Sequence, residues 1–275
     1  MKKVINFILT LIITVLICLF FISLNLKKVV INSLSKSYVK SEITNKIINE
    51  VKNELNIDNY NYLEKLENNI SNSDAVLSVT EKYFDGMIDN IINNNSDVPS
   101  IKKDLNEILK DNKSYLEENG ISIQDSDIDK ITDKLTENKN IEKAYKIVLK
   151  RVKDNIGDKE ITLIKMYNSM ITSSFRIKLL VIVILLTILI GIIKKSFYKW
   201  TYNLGIAFII SGTILAFLSQ ILLDVFLDLL GDYNTNLDVN INNVINSGYL
   251  CFLLALILII IYIIGNKITI NKSEI

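Results

Sequence analysis

The sequence predicts an all-α membrane protein with four transmembrane helices and a helical-bundle, extracytoplasmic domain between the first and the second. Two observations lead to this prediction. Long apolar runs occupy both ends of the 275-residue chain. The polar middle carries its apolar residues at intervals of three and four, the spacing that places them on one face of a helix. We therefore divide the chain into an N-terminal anchor (1–28), a helical domain (29–176) and a three-helix membrane region with a C-terminal tail (177–275).

The first apolar run, residues 4–26, is long enough to cross a bilayer. As a helix it reaches about 34 Å, against about 30 Å for a hydrocarbon core. Lys2 and Lys3 precede it, as they would in a signal peptide, but the run exceeds the usual apolar length of about 7–15 residues and no small-residue cleavage site follows. Ile17 stands before Cys18, where a lipoprotein signal needs a small residue. We therefore expect an uncleaved anchor.

Three more apolar runs lie near the C-terminus, at residues 177–193, 204–223 and 250–264. The last is the shortest and needs its flanking residues to complete a span. Lysine and arginine in short loops remain cytoplasmic. Lys194, Lys195 and Lys199 lie between the second and third spans, whereas the loop before the fourth has acidic residues and no basic ones. We therefore expect both termini in the cytoplasm and residues 29–176 outside it.

Apolar stripes within the domain predict helices over residues 43–55, 76–91, 101–109, 128–135 and 141–156, and we expect the third of these to stop before Gly120. Ser73 and Asp74 are residue types that cap the second of these. Tyr60 and Tyr62, in the polar stretch 56–72, are either exposed anchors for a partner or packed over the bundle. A last stripe, after Gly157, is expected to run straight into the second span. The interruptions favour a helical bundle over a long coiled coil.

The composition excludes several chemistries. The chain contains no histidine, so it has neither a histidine-activated nucleophile nor a histidine-ligated metal. Cys18 and Cys251 both lie in apolar runs, which leaves the domain without disulfides. The net charge of +1 gives no field that would attract nucleic acid. Abundant Asn, Lys and Ile suggest a low-GC bacterium, and we expect no catalytic residue, no cofactor and no bound metal.

Asp125, Asp127, Asp129 and Asp133 resemble part of a calcium-binding loop. Such a loop needs glycine at its sixth position and glutamate at its twelfth, where this chain has a lysine and a threonine. The alternative is the start of a helix, in which Ser126 and Asp129 resemble a capping box and the negative charges suit the helix dipole. We favour the helix start.

Gln220, Asp224 and Asp228 share one face of the third predicted span. Carboxylates inside a membrane are functional candidates, because a central charge costs about 2.5–3.5 kcal/mol on insertion scales. Antiparallel packing of the second and third spans brings Arg176 near Asp224, so an interfacial ion pair that orients two helices is one interpretation. A cation pathway is the other. We favour the pair, because no second charge lies deep in a neighbouring span.

Gly212, Ala216 and Ser219 form a stripe of small residues on the third span, and Gly205 precedes them. Such stripes let two membrane helices approach closely. The stripe serves either packing within the four spans of one chain or dimerisation with another chain, and we favour the first.

These features lead to three functional hypotheses. The leading one is a non-enzymatic component of the cell envelope, a scaffold or accessory subunit held in the lipid bilayer, whose extracytoplasmic domain binds a protein partner. The second is a small transporter or channel subunit that uses Gln220 and Asp224. The third is a sensor or immunity-type protein that binds an extracellular ligand. An enzyme is not expected, and neither is a nucleic-acid partner.

Overall fold

The computed structural model describes residues 2–34, 40–57, 60–71, 73–137, 140–196, 198–229 and 239–273. All regular structure in these ranges is helical. The helices, in chain order, are α1 (Lys2–Leu34), α2 (Lys40–Leu55), α3 (Tyr60–Ser71), α4 (Asp74–Asn93), α5 (Lys102–Asp111), α6 (Lys113–Glu118), α7 (Asp125–Glu137), α8 (Asn140–Asn155), α9 (Asp158–Met170), α10 (Ser173–Lys194), α11 (Trp200–Thr213), a π-helical turn (Ile214–Leu218), α12 (Ser219–Leu229) and α13 (Asn242–Ser273). The predicted all-α class is confirmed.

Four helical stretches of the described chain are long and apolar enough to cross a membrane: Lys2–Ile31, Ser173–Lys194, Trp200–Asp224 and Asn242–Thr269. The predicted number of spans is therefore confirmed. The fourth stretch begins eight positions before its apolar run (250 − 242 = 8) because polar residues continue the same helix. As predicted, residues that flank the shortest apolar run complete this stretch.

The chain forms two compact units. The membrane unit combines Met1–Val29 with Ser169–Ile275, and the helical unit comprises Val30–Asn168. Within the membrane unit, the side chain of Ser23 on α1 donates to the carbonyl oxygen of Met170. The two chain segments that flank the helical unit therefore begin from neighbouring points of the membrane unit.

The helical unit has one apolar core. Its fully buried side chains come from helices far apart in sequence, namely Ile47, Leu66, Ile70, Leu105, Ile108, Leu109, Leu116, Ile128 and Ile131. These are residues of the predicted apolar stripes, joined by residues from α3 and α6. The predicted cap of α4 is also confirmed, because Ser73 Oγ accepts a hydrogen bond from the backbone nitrogen of Val76 at 3.3 Å.

Helix α3 was not predicted. Residues 56–72 are polar in composition, yet Leu63, Leu66 and Ile70 recur at intervals of three and four and all three are buried. Tyr62 is half-buried, and the side chain of Tyr60 lies outside the described residues. The structure therefore describes only Tyr62, which is neither fully exposed nor fully buried.

The predicted continuous helix from residue 161 into the second span is wrong. Helix α9 ends at Met170, and Thr172 has an extended backbone with φ −75° and ψ 146°, which is typical of a helix N-cap. Its hydroxyl oxygen accepts from the backbone nitrogen of Phe175 at 3.2 Å, which starts α10 as a separate helix. The polar cap residue was visible in the sequence, but the apolar residues around it concealed the break.

Helix α1 is tied to the other membrane helices by polar contacts. Asn203 donates to Thr10 at 2.8 Å, Ser211 donates to the carbonyl oxygen of Thr14 at 3.1 Å, and Asn25 donates to Ser247 at 2.9 Å. Thr10, Thr14 and Asn25 also donate to the carbonyl oxygen four residues earlier in α1. Such bonds stabilise membrane helix pairs by about 0.6 kcal/mol on average.

Candidate functional site

The small residues Gly212 and Ala216 lie at a close approach between α11, the π-helical turn and α13. A Cβ atom on Gly212 would lie 2.9 Å from the carbonyl oxygen of Gly248. A Cβ atom on Gly248 would lie 2.5 Å from the backbone nitrogen of Ala216. The backbones therefore meet directly, and the predicted stripe lies at a contact between two spans of the same chain.

The π-helical turn, Ile214–Leu218, interrupts the third span between Gly212 and Gln220 and includes Ala216. Such turns insert one extra residue into a helix and recur at functional sites. The turn also changes the direction in which later residues point relative to Gly212. The sequence gives no signal for it, since neither proline nor a polar cluster occurs there.

Gln220 and Asp224 are exposed on α12, where the amide of Gln220 donates to the carboxylate of Asp224 at 3.0 Å. The guanidinium of Arg176 donates instead to the backbone carbonyl oxygens of Ile171 and Thr172, at 2.6 and 3.4 Å. The structure thus brings Gln220 and Asp224 together but shows no ion pair between Arg176 and Asp224. The side chain of Asp228 lies outside the described residues.

Two acids of the group 125–133 form ion pairs with lysines of other helices. Lys113 contacts Asp125 at 2.7 Å, and this hydrogen bond lowers the pKa of the carboxyl group. Lys102 contacts Asp133 at 2.6 Å, and this hydrogen bond raises the pKa of the lysine. Both pairs are exposed, so each contributes little to stability.

The other two acids hold the start of α7. Asp127 accepts from the backbone nitrogen of Gln124 at 3.0 Å, so the reciprocal cap involves Gln124 rather than the predicted Ser126 and Asp129. Asp129 accepts from the side chain of Asn106 at 2.9 Å. The helix start that we favoured is confirmed, with the cap displaced by two residues. Among the described residues no three Cys, Asp or Glu side chains lie close enough to hold a metal ion.

A cavity of about 490 Å³ lies in the helical unit, between the loop 94–101 and helices α7 and α8. Its polar lining includes acids, bases and hydroxyls: Ser96, Asp97, Ser100, Lys102, Thr136, Glu142 and Lys146. Asn90 fixes the loop, because its amide donates to the carbonyl oxygen of Asp97 at 2.7 Å and accepts from the nitrogen of Asp97 at 3.0 Å. The same amide donates to the hydroxyl of Tyr145 at 2.9 Å.

Tyr83 lines this cavity and packs against a second tyrosine, Tyr145. The rings of Tyr83 and Tyr145 have centroids 5.3 Å apart. Burial raises the pKa of both hydroxyls above their usual value. The neighbouring Phe84 contacts Tyr167 of α9, with ring centroids 5.9 Å apart. Helices α8 and α9 therefore both pack against α4.

Four large apolar side chains of α8 and α9 are exposed: Ile147 (53%), Val148 (42%), Leu163 (62%) and Met166 (58%). We call them the α8–α9 surface. Among the described residues of the helical unit, no other large apolar side chain is comparably exposed. Single exposed apolar residues are ordinary, whereas four on two consecutive helices make these helices the candidate contact surface of the helical unit.

One end of the membrane unit is rich in lysine. The hydroxyl of Tyr198, in the α10–α11 loop, donates to Asn266 of α13 at 3.2 Å. Lys3 of α1 and Lys194 of α10 line one cavity of about 270 Å³. The start of α1, the α10–α11 loop and the last part of α13 therefore meet at the same end. We call it the lysine-rich end.

Lys194 is held by dipoles rather than by an acid. Its ammonium group donates to the side chain of Asn203 and to the carbonyl oxygen of Lys199, and it lies 5.6 Å from the ring centre of Tyr202. No described carboxylate lies within ion-pair distance of Lys194. The sequence analysis missed this site, although Asn6 and Asn203, two amides near the ends of apolar runs, were the available signal.

Comparison with protein-family models, with curated proteins and with solved structures finds no match to this chain. The functional argument therefore rests on the geometry of the two units.

Proposed function

We propose that this chain is a non-enzymatic, multi-pass component of the cell envelope, with cytoplasmic termini and an extracytoplasmic helical unit that binds another protein. The observation that carries the proposal is the α8–α9 surface. Its four exposed apolar side chains lie outside the membrane-spanning stretches, so lipid contact within a span does not account for them. Methionine, here Met166, is typical of contact surfaces that adapt to a partner.

The orientation follows from the distribution of charge. The described basic residues at the lysine-rich end include Lys2, Lys3, Lys194, Lys195, Lys199 and Lys267, and no described acid lies among them. Asp224 lies at the far end of the third span. Lysines in short loops are retained in the cytoplasm, which favours cytoplasmic termini and an exported helical unit.

Thiol labelling tests the orientation. Cys18 and Cys251 are buried in the membrane unit, so the unmodified chain should react weakly with a membrane-impermeant maleimide. Lys103 is an exposed residue of α5. We expect Lys103→Cys to be labelled in intact cells, and Lys195→Cys to be labelled only after permeabilisation. The reverse pattern would overturn the proposed orientation and the exported domain together.

Site-specific crosslinking tests the partner. A photoreactive amino acid at Leu163 should give a reproducible crosslink to one protein in intact cells. The same group at Lys103, whose side chain is 86% exposed on another helix, is the matched control. Loss of the partner on Leu163→Glu, with unchanged expression, would support the α8–α9 surface. Equal crosslinking from both positions would contradict it.

A sensor or immunity-type protein is the second candidate, and the cavity of the helical unit favours it. Opposite charges from Asp97, Lys102 and Lys146 give that cavity groups that can orient a small polar ligand. Soluble cell-wall fragments and short peptides are suitable probes. A rise in the melting temperature of the full chain that Lys146→Ala abolishes would favour this function, and no rise would count against it.

A transporter or channel subunit has less support. Gln220 and Asp224 are exposed and hydrogen-bonded to each other. The two residues have no charged partner on a neighbouring span among the described residues. If Asp224→Asn leaves every measured ion flux unchanged, this alternative is excluded.

A further inference from the structure

We propose that the cavity at the lysine-rich end binds the headgroup of an anionic phospholipid. The cavity lies within the membrane unit, between the first turns of α1 and the facing part of α11, and has a volume of about 270 Å³. Its charged groups are Lys3 and Lys194, and no acidic side chain lines it. Two positive charges with no opposing acid favour an anionic occupant.

Lys194 provides the strongest argument for an anion. The residue ends a membrane helix and is only partly exposed, so its charge has lost part of its hydration. Asn203, Lys199 and Tyr202 offer dipoles and a ring face but no negative charge. A charge removed from water is stabilised best by an opposite charge nearby. A phosphate group in the cavity supplies that charge.

Lys3 and Asn6 complete the polar wall. Lys3 is exposed and has no described carboxylate within ion-pair distance, so its ammonium group can reach an anion from the opposite side of the cavity. Asn6 lines the same wall. Its side-chain oxygen, buried and without a partner among the described residues, can only accept a hydrogen bond and therefore does not itself contact a phosphate.

The remaining wall shows why the occupant is a lipid rather than free phosphate. Phe7, Leu11, Ile206 and Ile210 line the cavity on the side away from the lysines. These residues lie one to two helical turns deeper in the two spans, and Phe7 and Leu11 are exposed. The cavity is therefore charged at the membrane surface and apolar towards the bilayer centre. This polarity matches a phosphate group with an attached acyl chain.

Native mass spectrometry of the full chain in a mild detergent tests the proposal. The probes are dioleoyl-phosphatidylglycerol, dioleoyl-phosphatidylcholine and inorganic phosphate. We expect one phosphatidylglycerol to remain bound in preference to phosphatidylcholine, because the two lipids differ in net charge and share the same chains. Lys3→Gln should weaken that preference about fivefold, the contribution of one lysine near a membrane surface.

Neighbouring lysines give matched controls. Lys2→Gln and Lys195→Gln remove the same charge from residues that do not line the cavity, and should leave the preference unchanged. Lys194→Gln should weaken it as Lys3→Gln does. Lys194→Gln also removes the hydrogen bond from Lys194 to Asn203, so its effect includes a change in packing. Lys3 is exposed, and Lys3→Gln therefore tests the charge without that change.

Three results would overturn the proposal. Equal retention of both lipids would show that the cavity does not select an anion. Equal losses in all four lysine variants would show only diffuse attraction to the membrane surface. Binding of inorganic phosphate as tight as that of phosphatidylglycerol would show a phosphate site without a lipid.

Discussion

At Gly248 the contact between α13 and the π-helical turn leaves no room for a side chain. An added Cβ atom would lie 2.5 Å from the nitrogen and 2.8 Å from the Cβ of Ala216. The first atom belongs to the backbone and the second is bonded to it, so neither can move away by a side-chain rotation. We therefore expect Gly248→Ala to lower the free energy of unfolding by about 1–3 kcal/mol through overpacking. Unfolding in detergent with increasing dodecyl sulfate, followed by circular dichroism, measures the change.

Gly191 is the matched control for that substitution. It also lies in a membrane helix, but an added Cβ atom would meet its nearest neighbour, Trp200, at 3.6 Å, an ordinary contact. Gly191→Ala should be neutral or stabilising, since alanine favours helix by up to about 1 kcal/mol over glycine. Equal losses at both positions would contradict the close backbone contact.

Buried tyrosines make the helical unit sensitive to alkali. Burial raises the pKa of Tyr83 and Tyr145 in the folded chain, whereas an unfolded tyrosine ionises near a pH of about 10. A tyrosine whose pKa is raised by folding contributes its full stability at pH values below the pKa in the unfolded chain. That contribution is lost as the pH rises from the unfolded pKa through the folded pKa. We expect helical content, measured by circular dichroism of the full chain, to fall above a pH of about 10.

Tyr83→Phe tests the cause of that alkaline transition. The variant keeps the ring against Tyr145 and removes one ionisable group, so the transition should move to higher pH. An unchanged alkaline profile would assign the transition to other groups.

Individual residues were predictable where the signal is local. Gly212 and Ala216 were identified because they are neighbours on one helix face. Their partner Gly248 lies in a different span, and the sequence alone does not say which spans face each other. The same limit explains Arg176, whose partner was inferred from an assumed alignment of two helices and proves to be the preceding backbone.

At the scale of elements, helix α4 depends on its cap. Ser73 accepts from the nitrogen of Val76, one of the first donors of the helix. Ser73→Ala should destabilise the chain by about 1 kcal/mol because that donor loses its partner. Ser73→Asp keeps an acceptor and should preserve stability. Thermal unfolding of the two variants side by side measures the difference, and equal stability of both would show that the cap contributes nothing.

Most helices were predictable from the spacing of their apolar residues. The exceptions are a helix with a mainly polar composition, a break between two apolar segments and the π-helical turn. Helix α3 was missed because its polar residues outnumber the three that are buried. The α9–α10 break was missed because apolar residues flank Thr172 on both sides. The π-helical turn has no signal in this sequence, since its formation depends on how α11 and α13 pack.

At the scale of the whole molecule, the helical unit is an insertion. Ser23 contacts Met170, so the membrane unit already closes on itself where the insertion begins and ends. We expect a chain in which about eight Gly and Ser residues replace residues 30–168 to keep the melting temperature of the membrane unit. A linker of that length spans about 16 Å.

The fluorescence of Trp200, the single tryptophan, follows that unfolding. The control is a chain of residues 169–275 that carries the same Gly and Ser residues at its N-terminus. It should melt at a lower temperature, because it loses the hydrogen bonds from Asn203 and Ser211 to α1. Aggregation of the first shortened chain in conditions where the full chain is monodisperse would contradict an independent membrane unit.

Because of the insertion, α1 is synthesised well before the helices that it contacts. The partners of Thr10, Thr14 and Asn25 lie 193, 197 and 222 residues later in the chain. At roughly 5–20 residues per second, a ribosome needs about 10–40 seconds to reach them. During that interval α1 is alone in lipid, where an unsatisfied polar group costs several kcal/mol. These three side chains already donate to carbonyl oxygens of their own helix, so they are hydrogen-bonded before the later helices are synthesised.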